Sequence, residues 1–200
     1  MASTHTQEIA ASAARWVVEE GLDYGTAKRR AARELGYSSS RNAELPSNDE
    51  VEDEVRDYLA LFCADTQPAE LQALRDVAAI WMERLAEFRP HLTGAVWRGT
   101  ATRLNNVHLQ LFCDDSKAAE LALIDRGIAF DVGSLPGPRG GADIDVLSVS
   151  SASPQLGEHV TVLLSVLDHD DLRGALKRDA SGRSQRGDLA ALRKLTASAA

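Results

Sequence analysis

The sequence predicts an α+β protein in which helices come first and a mixed sheet follows. Up to residue 90, apolar residues recur at helical spacing. After that point, short runs such as Val107–Phe112 alternate between apolar and polar residues, which is the period of a strand. Helices followed by a β-α-β-β-β stretch are typical of an α+β domain. We therefore expect a helical N-terminal subdomain over residues 1–66 and an α+β domain over residues 67–200.

Four helices are predicted in the first half of the chain. The first contains Ile9, Ala13, Trp16 and Val17 and stops at Gly21, and the second runs over residues 26–35. Ser47 or Asn48 caps the third helix, because two acidic residues follow in its first turn. The apolar stripe of the third helix comprises Val51, Val55, Tyr58, Leu59 and Phe62. The fourth helix opens at Pro68, carries Trp81 on its apolar face and ends before Pro90.

The second half is predicted to alternate between strands, helices and a glycine-rich loop. Predicted strands cover residues 92–97, 107–112, 128–132, 144–149 and 159–167, and a loop or hairpin end covers 133–141. A helix over 116–126 has Ser116 as its N-cap and stops at Gly127. Two short terminal helices are predicted over 170–177 and 188–195.

Composition limits the class of protein. The 200 residues carry a formal charge of −8, with 44% hydrophobic and 26% charged residues, which is ordinary for a globular chain. No apolar run approaches a membrane span, and the polar first residues do not resemble a signal peptide, so we expect a cytoplasmic protein without a membrane partner. Cys63 and Cys113 are expected to be reduced and buried, with no zinc site.

The most informative segment is LTGAVWRGTA at residues 92–101, followed after a short gap by NVHLQLF at residues 106–112. Ten residues separate Ala95 from Asn106. A glycine allows close approach to phosphates, and residues at i and i+2 on a strand point to the same face. The segment resembles the signature of the DNA-polymerase-β-like nucleotidyltransferase superfamily, in which Gly-Ser precedes an Asp-x-Asp pair that holds Mg²⁺.

A narrower resemblance covers most of the chain, from about residue 9 to residue 195. Residues 27–36, AKRRAARELG, are similar to the N-terminal segment of a group of bacterial nucleotidyltransferase-like proteins. Proteins of this group often carry the name UDP-N-acetylmuramate–alanine ligase. The sequence does not support that activity, because it lacks a GxxxxGK[ST] phosphate loop and is too short for a three-domain ligase.

The sequence departs from the signature where chemistry would occur. The serine position is Ala95, the two acid positions are Asn106 and His108, and Thr161 or Leu163 stands where a third acid is expected. Neutral side chains hold Mg²⁺ poorly. The resemblance therefore implies a nucleotidyltransferase-like mixed sheet that is catalytically degenerate. We expect a binding or regulatory module, with Gly94, Ala95 and Arg98 as candidates for binding a nucleotide or phosphate and with no cofactor.

Two alternatives stay open. In the first, an active nucleotidyltransferase uses relocated metal ligands, namely Asp143 and Asp145 or the pair Asp114 and Asp115, and then requires Mg²⁺. In the second, a regulator binds nucleic acid through the basic helix; its candidate residues are Lys28, Arg29, Arg30 and Arg33. A basic tail could assist, because residues 173–194 carry seven Lys or Arg against two Asp. Solvated surfaces are the simpler interpretation of both basic segments, so nucleic acid is not favoured over a nucleotide or a protein partner.

Overall fold

A computed structural model describes residues 4–37, 45–115, 117–137, 141–172 and 182–197. The chain divides into two compact units. The first consists of residues 1–69 together with 100–105, and the second consists of residues 70–99 and 106–200. The predicted domain boundary after residue 66 stays a prediction.

The first unit contains three helices, α1 (Thr4–Glu20), α2 (Tyr24–Glu34) and α3 (Asn48–Phe62). Helix α1 packs against both of the others. Small and branched apolar residues fill the core, among them Ile9, Ala13, Val17, Ala27, Ala31, Val51 and Val55. Phe62 was predicted on the apolar stripe of α3, but its residue surface is 69% exposed. It is the last residue of the helix, and its ring lies 4.6 Å from that of Tyr58 rather than in the core.

Ser47 is the N-cap of α3, in agreement with one of the two predicted capping residues. Its Oγ accepts a hydrogen bond from the Glu50 backbone N–H at 3.1 Å, and the Glu50 carboxylate accepts one from the Ser47 N–H at 2.7 Å. This reciprocal capping box satisfies two backbone donors that the helix itself leaves unpaired. The hydrogen bond from the Ser47 N–H is the main reason that the pKa of Glu50 is lowered.

A six-stranded mixed sheet forms the centre of the second unit. Its elements are α4 (Gln67–Arg84), a 3-10 turn at Ala86–Phe88, β1 (His91–Thr93), α5 (Gly94–Arg98), β2 (Val107–Phe112), α6 (Ala118–Asp125), β3 (Asp131–Leu135), β4 (Ile144–Ser153), β5 (Glu158–Leu167), β6 (Arg186–Gly187) and α7 (Leu189–Ala197). The strand order is β3-β4-β5-β2-β1-β6. Strands β2 and β5 run parallel, and the other pairs are antiparallel. The α+β class with a mixed sheet is confirmed.

The two faces of the sheet differ in polarity. Leu92, Leu109 and Leu164 are fully buried on one face, which forms part of the core. On the opposite face Phe112 and His91 are buried, whereas the positions nearer the start of β2 keep solvent contact. We call the solvent-accessible part of this face the polar face. Strand register puts the following residues of five strands on it: Thr93, His108, Gln110, Ser148, Leu163, Ser165 and Arg186. A sheet that is apolar on one face only leaves the other available for binding.

Several element boundaries differ from the sequence predictions. The predicted strand over 92–97 is wrong after Thr93, because Gly94 adopts φ +75° and turns the chain into α5. Residues 133–135 belong to β3 rather than to a loop, and they pair with β4. The two-residue strand β6 was not predicted. Ser116 and most of the predicted helix over 170–177 lie outside the described residues.

We expect Ser47→Ala to lower the free energy of unfolding by about 1 kcal/mol, because one donor at the start of α3 loses its acceptor. Chemical denaturation at neutral pH measures this change. Asp53→Ala is the matched control, since Asp53 is exposed on the same helix beyond its first turn. Equal stabilities of the two variants would contradict the capping role.

Candidate functional site

The turn that begins α5 lies directly against strand β2. Gly94 has φ +75°, and Gly99, which ends the helix, has φ +87°. A Cβ atom on Gly94 would lie 3.6 Å from Cδ2 of His108, so the turn and the imidazole are in close contact. Helix α5 has only five residues and therefore contributes little dipole of its own. Side chains around the turn must supply most of any affinity for an anion.

A buried arginine fixes the position of α5. Arg75 on α4 is 7% exposed, and its Nε donates a hydrogen bond to the Val96 carbonyl at 3.2 Å. Its Nη2 lies 3.6 Å from the position that a Cβ on Gly99 would occupy. A cation at the C-terminal end of a helix is favourable because the last carbonyls lack partners. Burial lowers the pKa of the Arg75 guanidinium, although an arginine stays protonated.

His108 is the central side chain of the candidate site. It pairs with Thr93 on β1 and with Leu163 on β5, and its surface remains exposed to solvent. Surrounding protein atoms nevertheless desolvate the ring, and this is the main reason that its pKa is lowered. The positive charge of Arg98 lowers the pKa further. A ring with both solvent contact and partial desolvation is typical of a cleft wall, and at neutral pH this ring is uncharged.

The residues at the signature positions do not fit Mg²⁺. Asn106 is exposed just before β2, and His108 follows two positions later on the same face. Leu163 stands directly across from His108, with Thr161 two residues before it on β5. Mg²⁺ is held in proteins mainly by carboxylates, and none of these four side chains is a carboxylate. Across the described ranges, no three His, Cys, Asp or Glu side chains are grouped so that they could hold a metal ion.

The relocated acids predicted by the first alternative lie at the other end of the sheet. Asp143 and Asp145 line a cavity of about 490 Å³ together with Asp114, Asp168 and Asp171. Asp114 follows the last residue of β2, whereas Gly94 lies beside its first residues. Six residues of strand separate the two ends by about 20 Å. The carboxylate of Asp145 also accepts a hydrogen bond from Lys117 at 3.2 Å. These acids therefore do not complete a site around Gly94.

The basic helix α2 uses three of its four candidate cations for contacts within the first unit. Lys28 donates to the Pro46 carbonyl at 2.9 Å and to the Asn48 side chain at 2.8 Å. Arg30 pairs with Glu20 at 2.6 Å and lies 3.6 Å from the centre of the Trp16 ring. Arg29 donates to Thr26 within the helix at 3.2 Å, and Arg33 is exposed. Their role in nucleic-acid binding stays a prediction.

The sequence reasoning did not identify Arg186, which the structure places on the polar face. Strand β6 pairs Arg186 with Thr93, the residue that also pairs with His108. Arg186 donates a hydrogen bond through Nη1 to Oε1 of Gln110 on β2. No local pattern reveals a strand of two residues. The only signal is an Arg-Gly pair before the last predicted helix.

Comparison with known proteins gives only distant structural matches. No protein-family model and no curated protein matches the chain. A solved structure of Cid1 with the UTP analogue UMPNPP matches with a TM-score of 0.34 and 14% identity over 57% of this chain. A structure of Cid1 with its short product ApU matches with a TM-score of 0.35 and 15% identity over 59%. The chain spans only 36% and 37% of the length of those solved chains. Within the part of the chain that is described, no helix has the length and apolar character of a membrane span.

We expect Arg98→Gln to raise the pKa of His108 toward its ordinary value, because the repulsive charge is removed while burial remains. Nuclear magnetic resonance titration of the imidazole protons measures the shift. The control is Arg126→Gln, which also removes one arginine charge. Arg126 forms an ion pair with Glu87, which precedes β1, whereas the site around Gly94 follows β1. An unchanged pKa in Arg98→Gln would contradict the proximity of the two groups.

The lowered pKa of His108 also predicts a dependence of stability on pH. As the pH falls through the ordinary histidine range, the unfolded chain binds a proton that folded His108 does not. His108 therefore lowers the free energy of unfolding on the acid side, and His108→Gln removes this contribution. Denaturation of both proteins at pH 7.5 and at about pH 5.5, below the ordinary histidine pKa, tests the sign. A stability difference that does not change with pH would contradict it.

Gly187→Ala is expected to destabilise the protein by about 1 to 3 kcal/mol, as overpacking does. A Cβ on Gly187 would lie 2.1 Å from the ring of Trp97 on α5, so the ring or the strand must move. Thermal unfolding measures the loss. Gly157→Ala is a poor control because Gly157 has φ +68°. Ala190→Ser, at an exposed position on the following helix, is a better control and should change stability by less than about 0.5 kcal/mol.

Proposed function

We propose that this protein is a nucleotidyltransferase-like module that binds the phosphate groups of a nucleotide without transferring them. The proposal rests on one observation. At the start of β2, where the signature places metal-binding carboxylates, this chain has Asn106 and a neutral His108 within the field of Arg98. The sign of the local charge is thus reversed relative to the signature, from negative to positive.

The reversed charge supports direct binding of an anion. In a metal-dependent site, carboxylates hold cations, and the cations in turn hold the phosphates. In this site, an arginine can meet the phosphate itself, and its planar guanidinium matches phosphate oxygens with paired hydrogen bonds. Gly94 leaves the backbone open to close approach. Magnesium is not needed for this mode of binding.

The same residues argue against transfer. Two-metal phosphoryl transfer requires cations at both the attacking and the leaving oxygen. Asn106, His108 and Leu163 supply no carboxylate for them, and the acidic cavity lies about 20 Å away along β2. A neutral imidazole could accept a proton, but it cannot stabilise the negative charge that builds up on the transferred phosphate.

Isothermal titration of the full chain with ATP, GTP, CTP and UTP tests the proposal, once in EDTA and once with excess MgCl₂. We expect binding in EDTA, and equal or weaker binding with Mg²⁺, because the cation neutralises part of the phosphate charge. Arg98→Gln should weaken binding at least tenfold, whereas the control Arg126→Gln should not. Binding that appears only with Mg²⁺ would contradict metal-independent recognition.

Incubation with each α-³²P-labelled nucleotide and with total RNA or protein tests the absence of transfer. We expect no covalent label on any acceptor. Label transfer that Asp145→Asn abolishes would overturn the proposal in favour of an active enzyme with relocated ligands. Asp145 lines the acidic cavity, while Asp131 is an exposed aspartate on β3, so Asp131→Asn is the matched control for that outcome.

A further inference from the structure

A cavity lies at the start of β1, whereas the turn at Gly94 follows the end of that strand. Its volume is about 370 Å³, which is at the small end of the range for ligand sites in proteins. Most of its lining is apolar and comes from α4, from the residues between α4 and β1, from the start of α7 and from one residue after β5: Met82, Ala86, Pro90, Leu172, Leu189 and Ala190. Such a lining fits the body of a small organic molecule better than a bare ion.

A buried histidine contributes a polar atom to this cavity. His91 lines the cavity, although the residue is only 8% exposed. Its Nδ1 lies 2.9 Å from the Arg89 carbonyl oxygen, which can only accept, so Nδ1 is the donor of this hydrogen bond. The other ring nitrogen, Nε2, has no hydrogen-bond partner among the residues that the structure describes, and it keeps solvent access. In the uncharged ring this nitrogen is an acceptor, so a ligand in the cavity can donate to it.

The cavity also has one charged side chain of each sign, because Arg89 and Asp188 both line it. In the described part of the chain, no carboxylate forms an ion pair with Arg89. Asp188 caps α7, and its Oδ1 accepts a hydrogen bond from the Ala191 N–H at 2.8 Å. Its other carboxylate oxygen is left for a ligand. The two charges therefore match a ligand that carries both a negative and a positive group.

The first turn of α7 adds hydrogen-bond donors on the same side of the cavity. Leu189 and Ala190 are the first two residues of this nine-residue helix, and both line the cavity. The N–H groups of a first helical turn have no partners within the helix. Asp188 accepts from the next two residues, through its side chain from Ala191 and through its carbonyl from Leu192. The N–H groups of Leu189 and Ala190 are thus left for a negatively charged group of a ligand.

We propose that this cavity binds an apolar α-amino acid. The carboxylate of the ligand lies against Arg89 and the N–H groups at the start of α7. Its ammonium group donates to the carboxylate of Asp188 and to Nε2 of His91, and its side chain fills the apolar part of the cavity. An apolar carboxylic acid would leave Asp188 without a partner, and an apolar amine would leave Arg89 without one. The cavity and the turn at Gly94 have no residue in common, so this inference does not depend on the proposed function.

Isothermal titration of the full chain at neutral pH with L-phenylalanine and with L-leucine tests the inference. We expect one-to-one, saturable binding of at least one of them. Two analogues of the tighter ligand, one without the ammonium group and one without the carboxylate, should each bind at least about tenfold more weakly. For phenylalanine these analogues are 3-phenylpropionate and phenethylamine, and for leucine they are 4-methylpentanoate and 3-methylbutylamine. Glycine, which lacks the apolar side chain, should also bind at least about tenfold more weakly.

Two substitutions test the position of the ligand. Asp188→Asn keeps an oxygen that can cap α7 but removes the charge, so affinity should fall at least about tenfold while thermal stability stays near that of the wild type. Arg89→Gln should weaken binding to a similar extent. Asp131→Asn and Arg33→Gln are the matched controls, because both residues are exposed and neither lines the cavity. The imidazole resonances of His91, assigned by their absence in His91→Gln, should shift when the amino acid is added.

Each result decides for or against the inference. Absence of binding of both amino acids to the wild-type chain overturns it. An analogue with only one of the two charged groups that binds as tightly as the amino acid overturns the assigned ligand class. Binding that neither Asp188→Asn nor Arg89→Gln weakens overturns the assigned site. If both variants fail to fold, the resonances of His91 in the wild-type chain decide, and resonances that do not move on saturation overturn the inference.

Discussion

The candidate site depends on a hydrogen bond from a buried cation to the end of a very short helix. A helix of five residues cannot hold itself together, because most of its backbone groups lack partners within it. Arg75 supplies a donor to the Val96 carbonyl from α4, and Trp97 ties the opposite side of α5 to the segment before β6. Gly94 and Gly99 adopt the left-handed conformations that such a tight turn requires. Neighbouring elements therefore hold the turn in place.

The contacts that hold α5 do not involve the acid positions of the signature. A site whose geometry depended on bound cations would be expected to rearrange when its ligands became neutral. Here the contacts that fix α5 involve Arg75, Trp97 and backbone carbonyls, none of which is a signature acid. Asn106 and His108, which stand at the acid positions of the signature, form neither of these hydrogen bonds.

Sequence reasoning succeeded where the signal was local. Helical periodicity and a cap at Ser47 or Asn48 predict α1 to α3, and the alternation in Val107–Phe112 predicts β2. It failed where a long-range contact decides the conformation. Val96 and Trp97 favour a strand by propensity, yet a left-handed glycine and the hydrogen bond from Arg75 make the segment a helix. Arg186 could be counted in the basic segment at residues 173–194 but not placed on the sheet, because a two-residue strand exists only through its pairing with β1, more than ninety residues earlier in the chain.

Positive and negative side chains of the second unit lie at opposite ends of the parallel strands β2 and β5. The N-terminal ends of these strands, which we call the starting ends, lie near the turn at Gly94, Arg98 and the neutral His108. At their finishing ends lies the acidic cavity, where Asp114 and Asp168 follow the last residues of the two strands. Neighbouring aspartates also contribute to the raised pKa of the Cys113 thiol at that end, although burial is the larger cause. An anionic ligand is repelled from the finishing ends and attracted to the starting ends, because the opposite charges are separated by about 20 Å along one strand. Under the proposed function, this separation of charge favours a phosphate group at the turn over the acidic cavity.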